Sequence, residues 1–459
     1  MSNLSPATPA APLSASAASL SPLPATPPPA PQEPSPEPTS GRYARIFALA
    51  GRGFIPVAFL ARLPLAMLTV GALTLVTSVT GSYATGGLAA GAVGIGSAIG
   101  APVLGFVADR IGQRPVLLAA AVVNPLATAL VLFMAYLLPD ADSALGVLVA
   151  AFVMGATCPQ VGPLARVRWM AMTSRRAESK TAGARDLDTA MSYESTADEL
   201  SFVLGPALVG LLAAVVAPWL PLAIAAALTL SMVAAFAVHP TVRAVVPARR
   251  TQAPTPAGQE TSDTAPKEKA PRADWLLIAL PVLGMVSMGT FFGGTQTSLT
   301  AFGGVFNVST AAGLLYAVMG ISSAAAALSV AFWPERFGPA TRWVASAAAM
   351  TAFSLLLLLP ADIPTMLVAL FVLGIPVGPT MVSIFGIGAV VAPRQLMSTV
   401  MTMLASGLVA GTALGASLAG GLADSHGHQA AFLVSVGAAA TLLLLSLCTQ
   451  WAVKARRRV

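Results

Sequence analysis

Gly105-Phe106-Val107-Ala108-Asp109-Arg110-Ile111-Gly112-Gln113-Arg114-Pro115 closes one long apolar run and opens the next. An acid, two arginines and a glycine are packed into the turn between two stretches that are almost free of charge. The stretch is also repeated. A shift of 226 residues brings Asp109-Arg110-Ile111-Gly112 onto Glu335-Arg336-Phe337-Gly338, and Gly94, Ile95, Ser97 and Phe106 onto Gly320, Ile321, Ser323 and Phe332. Phe152-Val153-Met154-Gly155 is echoed by Phe371-Val372-Leu373-Gly374 at a slightly different offset. Matches of Ala or Gly are cheap in this composition; an acid, an Arg and a Gly in register are not.

The surrounding composition says what kind of chain carries the repeat. Of 459 residues, 56% are hydrophobic and 9% charged, against about a quarter charged in soluble domains. That excludes an ordinary soluble enzyme. Forty glycines, 37 prolines and a mean hydropathy of +0.78 fit a polytopic helical membrane protein. Apolar stretches long enough for a ~30 Å hydrocarbon core are expected at about 58–80, 86–107, 116–138, 144–165, 194–216, 221–239, 275–300, 310–333, 342–359, 365–390, 397–422 and 430–451. The fold class is therefore an all-α integral membrane protein of twelve helices in two six-helix pseudo-repeats.

Charge sets the expected orientation. The odd connections (80–86, 139–143, 217–221, 301–309, 360–364 and 424–429) contain no Lys or Arg. Basic residues fall in the even connections, the terminal segments and one edge of the helices, which places both termini in the cytoplasm of a cell-membrane protein. The formal charge of +7 is then an orientation signal and calls for no nucleic-acid partner. Residues 1–40, with twelve prolines and two charges, read as a disordered tail. The organisation expected after it is a bundle over 41–240, a flexible linker over 241–273 and a second bundle with a short basic tail over 274–459.

The 105–115 stretch resembles the loop signature of the major facilitator superfamily, and Glu335-Arg336-Phe337-Gly338 stands where that family's second half carries a weaker copy. The resemblance implies alternating access between two bundles around a midplane site. In this motif of Gly105, Asp109, Arg110, Gly112 and Arg114, Asp109 is expected to cap or pair across the cytoplasmic seam as a latch, Gly112 to permit the tight turn, and Arg110 and Arg114 to hold anionic lipid or acidic partners, with Glu335, Arg336 and Gly338 as the weaker copy. Gly205-Pro206-Ala207-Leu208-Val209-Gly210 is similar to the antiporter motif of proton-coupled efflux members, with Gly205, Pro206 and Gly210 kept. Ser192, Ser201 and Val209 stand in place of three of its glycines. Where such members carry an Arg in the fourth span, this chain has Gly155-Ala156-Thr157-Cys158-Pro159-Gln160, and no basic residue until Arg166.

Charges inside spans are costly and default to function. Arg62 near the start of the first span and Glu194, Asp198 and Glu199 at the start of the fifth are the proton-coupling candidates. The expectation is that Arg62 pairs with Asp198 or Glu199. The family architecture selects Thr69, Cys158, Gln160, Phe291, Phe292, Gln296 and Pro376 as substrate-cavity candidates, a wall suited to lipophilic or weakly cationic compounds.

Two cysteines, scattered histidines, and the lack of an HExxH, Walker or GxGxxG pattern in a loop leave no metal, nucleotide or other cofactor, and no catalytic residues, to expect. The reading is a monomeric secondary transporter rather than an enzyme. It exchanges protons for a small exported molecule. An uptake symporter or facilitator of sugars or metabolites is the alternative on the same fold, and a non-transporting sensor or scaffold the second alternative.

Overall fold

The structure, a computed structural model, describes residues 41–456 apart from 52, 82, 138–143, 177–179, 247–274, 307–311 and 335. The expected tail, nearly all of the expected linker and Glu335 lie outside the described residues.

The described chain is almost entirely helical, and eleven helical stretches, three of them joining two of the elements below, are long and apolar enough to cross a membrane. In the first half the elements are α1 (Gly41–Ala50), α2 (Phe54–Leu60), α3 (Leu63–Thr80), α4 (Tyr83–Ile111), α5 (Gln113–Leu137), α6 (Ala144–Ala156), α7 (Val161–Arg176), α8 (Lys180–Val215), α9 (Leu220–Leu228) and α10 (Ala234–Val238), the last two joined by a π-turn over Thr229–Val233. In the second half they are α11 (Trp275–Val305), α12 (Ala312–Ser329), α13 (Pro339–Ser354), α14 (Ile363–Val391) and α15 (Met397–Arg456).

Several edges differ from the expected ones, each for a local reason. The fifth span does not begin at 194: α8 starts fourteen residues earlier, because its charged first turns find partners, Asp186 on Arg45 and Asp188 on Arg342. The fourth span does not stop at 165. It breaks at Thr157–Gln160, where Pro159 removes a backbone donor, and runs on as α7, with Pro163 tolerated in its first turn, to Arg176. The two last expected spans are a single helical element of 60 residues interrupted at Gly427, whose φ of 81° and ψ of 177° are open essentially only to glycine. Both of its segments lie against α11: a Cβ on Gly293 would strike Thr412, and one on Gly294 would meet the Ser435 hydroxyl at 3.0 Å. At the first turn of interest, Gly112 adopts φ 99°, which lets α4 end and α5 begin one residue later.

Helices approach on small residues, as expected where no hydrophobic effect drives association in lipid. A Cβ at Gly96 or Gly100 would collide with the backbone of α6, and one at Gly289 with that of α15. The pairing also follows the repeat. Gly155 abuts the Val93 carbonyl, and Gly374 abuts that of Met319, the two partners being 226 residues apart. Large apolar side chains such as Leu88, Ile99, Leu126 and Leu145 are exposed while Arg62, Glu194, Arg166 and Arg168 are buried. This inverts the polarity of a soluble protein.

Candidate functional site

The turn between α2 and α3 carries Arg62 inward, where α7 and α8 each present charge. Arg62 Nη2 pairs with Glu194 Oε2, and its Nε lies 3.5 Å from Asp198 Oδ1. Arg166 Nη2 of α7 lies 2.8 Å from Asp198 Oδ2. Trp169 Nε1 donates to Glu194 Oε1 at 2.7 Å. Glu194 and Asp198 share one face of α8 because they are four residues apart. Gly162 provides the space: a Cβ there would stand 2.9 Å from Asp198 Oδ1. Two guanidiniums and two carboxylates thus offset one another, with Arg62, Glu194 and Arg166 buried and Asp198 partly exposed, as charge inside a protein requires.

Glu199, one position on, turns away from this cluster. Its Oε1 accepts from Ser323 Oγ of α12 at 2.6 Å, and its Oε2 is buried with no hydrogen-bond partner. The pairing expected for Arg62 therefore goes to Glu194 and Asp198, while Glu199 ties the first half to the second. Phe385 of α14 makes another tie, its ring centroid 3.7 Å from the Arg166 guanidinium carbon. Beside the network is a cavity of about 40 Å³ lined by Arg62, Asp198, Gln160, Phe202, Phe385 and Leu408 among others, room for a water or two.

Toward the end of the molecule that holds the 105–115 turn, here the basic end, Asp109 crosses the seam. Its Oδ1 accepts from the Ser398 amide at 2.9 Å, and its Oδ2 from the Thr399 amide at 2.8 Å and hydroxyl at 2.7 Å. A carboxylate on the exposed amides of a helix N-terminus is favoured by both hydrogen bonding and the helix dipole. Gly105 makes the approach possible, since a Cβ there would run into Thr402 and Ser398. Arg110 lies over the Phe106 ring at 4.2 Å, and it and Arg114 are exposed. Asp188 and Arg342 form a further link across the seam at 2.8 Å.

The profile of the Major Facilitator Superfamily matches residues 54–407, well over half of the chain. The chain belongs to the major facilitator superfamily. It is thus a multi-pass membrane transporter and not an enzyme. A search of curated protein sequences finds no significant match. Among solved structures, the human organic anion transporter MFSD10 (TETRAN) superposes with a TM-score of 0.61 at 18% identity, covering 89% of this chain and 100% of that one. The proton:xylose symporter XylE bound to 6-bromo-6-deoxy-D-glucose gives 0.62 at 13%, covering 88% and 95%. A bacterial homologue of the iron transporter ferroportin in its outward-facing state gives 0.64 at 12%, covering 86% and 99%. At these identities the likeness is one of fold.

Within the superfamily fold the remaining candidates separate. Of the seven cavity candidates, Gln160 lines the cavity beside Asp198, its amide donating to the Cys158 carbonyl at 3.3 Å. Cys158, in the break between α6 and α7, and Phe291, on the inward face of α11, are packed in apolar cores. Pro376 is buried, Thr69 half-buried and Gln296 exposed. Phe292 is half-buried, its ring 6.4 Å from that of Tyr316. In the antiporter-like motif, Gly205 lets α8 press on Ala66 of α3, Pro206 is taken up inside α8, and Gly210 faces open space. Of the second loop copy, Gly338 opens α13 and Arg336 is exposed.

Sequence reasoning missed Arg166 as a site residue, along with Arg168, Trp169, Ser323 and Phe385. Arg168 is held by Gln113 Oε1 at 2.9 Å and the Phe236 carbonyl at 2.7 Å. The available signal was Arg166-Val167-Arg168-Trp169 itself, two cations alternating with large apolar residues.

Proposed function

We propose that the chain is a monomeric, proton-coupled exporter of small lipophilic or weakly cationic compounds, working by alternating access of two six-helix bundles. On this reading the kink at Gly427 divides α15 into the eleventh and twelfth spans, the bundles occupy 41–240 and 274–459, and the basic end faces the cytoplasm. The repeated contacts Gly155–Val93 and Gly374–Met319 support the two-bundle reading, and the positive-inside distribution supports the orientation.

The observation that carries the reading is the Arg62–Glu194–Asp198–Arg166 network beside a cavity on the seam, with Glu199 bonded across it. Glu199 is the proton carrier in this proposal. Its described partner is a hydroxyl and not a cation, so taking up a proton removes a charge that burial makes costly. Opening the seam breaks its bond to Ser323 and exposes the carboxyl. Asp198 reaches the cavity directly and links whatever sits there to both arginines. The lining is mostly apolar, with Arg62, Asp198, Gln160 and Ser201 as its polar members, which supports a lipophilic or weakly cationic cargo; fold alone does not choose one.

Inverted membrane vesicles test this. Acidifying the lumen should drive accumulation of a lipophilic cation such as tetraphenylphosphonium, and Glu199→Gln should abolish the response to the gradient while protein level stays the same. Accumulation that ignores the gradient in the wild type, or an unchanged response in Glu199→Gln, sinks the proposal.

A further inference from the structure

The two halves do not close the basic end in the same way. The 226-residue register puts Ala331 where Gly105 stands. At Gly105 the neighbouring helix of the other half packs onto the missing side chain; at Ala331 what arrives is α1, the short helix ahead of the first span. Arg42 Nη1 donates to the Ala331 carbonyl, and the Tyr43 hydroxyl donates to the Leu328 carbonyl at 2.7 Å. Both acceptors lie where α12 runs out, Ala331 within the 3₁₀ turn Val330–Phe332 that follows it. The last carbonyls of a helix lack intrahelical donors and carry the negative end of its dipole, so a guanidinium and a phenol are suited to them. Burial pushes the Tyr43 phenol up to about 12, keeping it a donor. The Phe332 ring adds to the grip, 5.5 Å from the Arg42 guanidinium carbon and 6.0 Å from the Tyr43 ring.

On its other side α1 is fixed to the first half. Ile46 and Ala50 are buried in the core around Phe54 and Trp169. Arg45 Nε lies 3.2 Å from Asp186 Oδ2 of α8, and Phe47 meets Tyr193 edge-on at 5.7 Å. The connection to α2 is an elbow of left-handed glycines, Gly51 at φ 82° and Gly53 at φ 89°, and a Cβ at either would meet nothing within 4 Å.

We propose that α1 is a clasp that holds the seam shut at the basic end, by giving Arg42 and Tyr43 to the terminal carbonyls of α12, and lets go each time that end opens. The clasp rests on alternating access but on no particular substrate or coupling ion. It complements Asp109: one side of the seam is closed by an acid on a helix N-terminus, the other by donors on a helix C-terminus.

The test uses the purified full chain in lipid nanodiscs, in a Cys448→Ser background because Cys448 is exposed while Cys158 is buried. Spin labels at Ala184→Cys on α8 and Thr341→Cys on α13, both exposed positions near the Asp188–Arg342 pair, report separation of the halves by pulsed electron resonance. Arg42→Ala with Tyr43→Phe should raise the population at longer separations several-fold, and Tyr43→Phe alone should give an intermediate shift with the thermal midpoint nearly unchanged. Asp109→Asn serves as the independent opener. If it lengthens the separations and the α1 variants do not, the clasp is wrong while alternating access stands. A single unchanged population in every variant overturns both.

Discussion

At the scale of single residues, the chain concentrates its costs at a few positions. Truncating one member of a buried ion pair leaves the other uncompensated, at about 3–5 kcal/mol. Asp198→Ala should therefore lower the thermal midpoint of the purified protein sharply, because it strands Arg166 and removes one of the two carboxylates facing Arg62. Arg166→Met combined with Asp198→Leu should recover part of the loss; an Asp198→Ala midpoint equal to wild type would mean the network is solvated. Glycines divide just as sharply. Gly155→Ala drives a methyl group into the Val93 carbonyl and should destabilise, whereas Gly94→Ala, with nothing within 4 Å, should be silent in the same melting assay. Arg62 and its acids were legible in the sequence because charge within an apolar run is itself anomalous. Arg166 was not, since it stands where the run appeared to end. Whether such a cation is outside the membrane or inside the protein depends on how far the helix continues.

At the scale of elements, breaks matter more than spans. Gly427 holds a backbone conformation that costs a residue with a side chain on the order of 1–3 kcal/mol, and it is where α15 ceases to be one straight rod. Gly427→Ala should lower stability by that order and slow folding into the membrane, measured by protease resistance of the inserted chain; resistance equal to wild type would show that the kink is not obligatory. The Thr157–Gln160 break is hidden in a run expected as one span over 144–165, and its consequence with it. It separates α6 from α7 and lets α7 bring Arg166 to Asp198. The early start of α8 was equally hidden, because Asp186 and Asp188 look like loop residues until Arg45 and Arg342 are found opposite them.

At the scale of the whole molecule, polarity is sorted inward and along the axis. Leu126, 65% exposed on α5, belongs to the lipid-facing surface, so Leu126→Arg should cost about 2.5–3.5 kcal/mol on insertion. The amount recovered from the membrane fraction should fall, while Arg114→Leu, at an exposed position in the first turn of α5, should leave it nearly unchanged. Polar contacts across the seam run from Glu199–Ser323 through Thr196–Ala324, Tyr43–Leu328 and Asp188–Arg342 to Asp109–Thr399. The conformation seen is accordingly one in which the basic end is joined.

Sequence alone determined that the chain is helical, membrane-embedded and built on the 105–115 motif, because run length, charge sorting and local turn chemistry act within a few tens of residues. It also singled out Arg62, Glu194, Asp198 and Glu199, since an ion in an apolar helix is conspicuous wherever it ends up. Tertiary structure decided their partners: Arg62 meets Glu194 across 132 positions, Asp109 meets Thr399 across 290 and Arg42 meets Ala331 across 289. The worth of each contact depends on distance, burial and which face of a helix is turned inward, quantities that come into being only when helices far apart in the chain pack together.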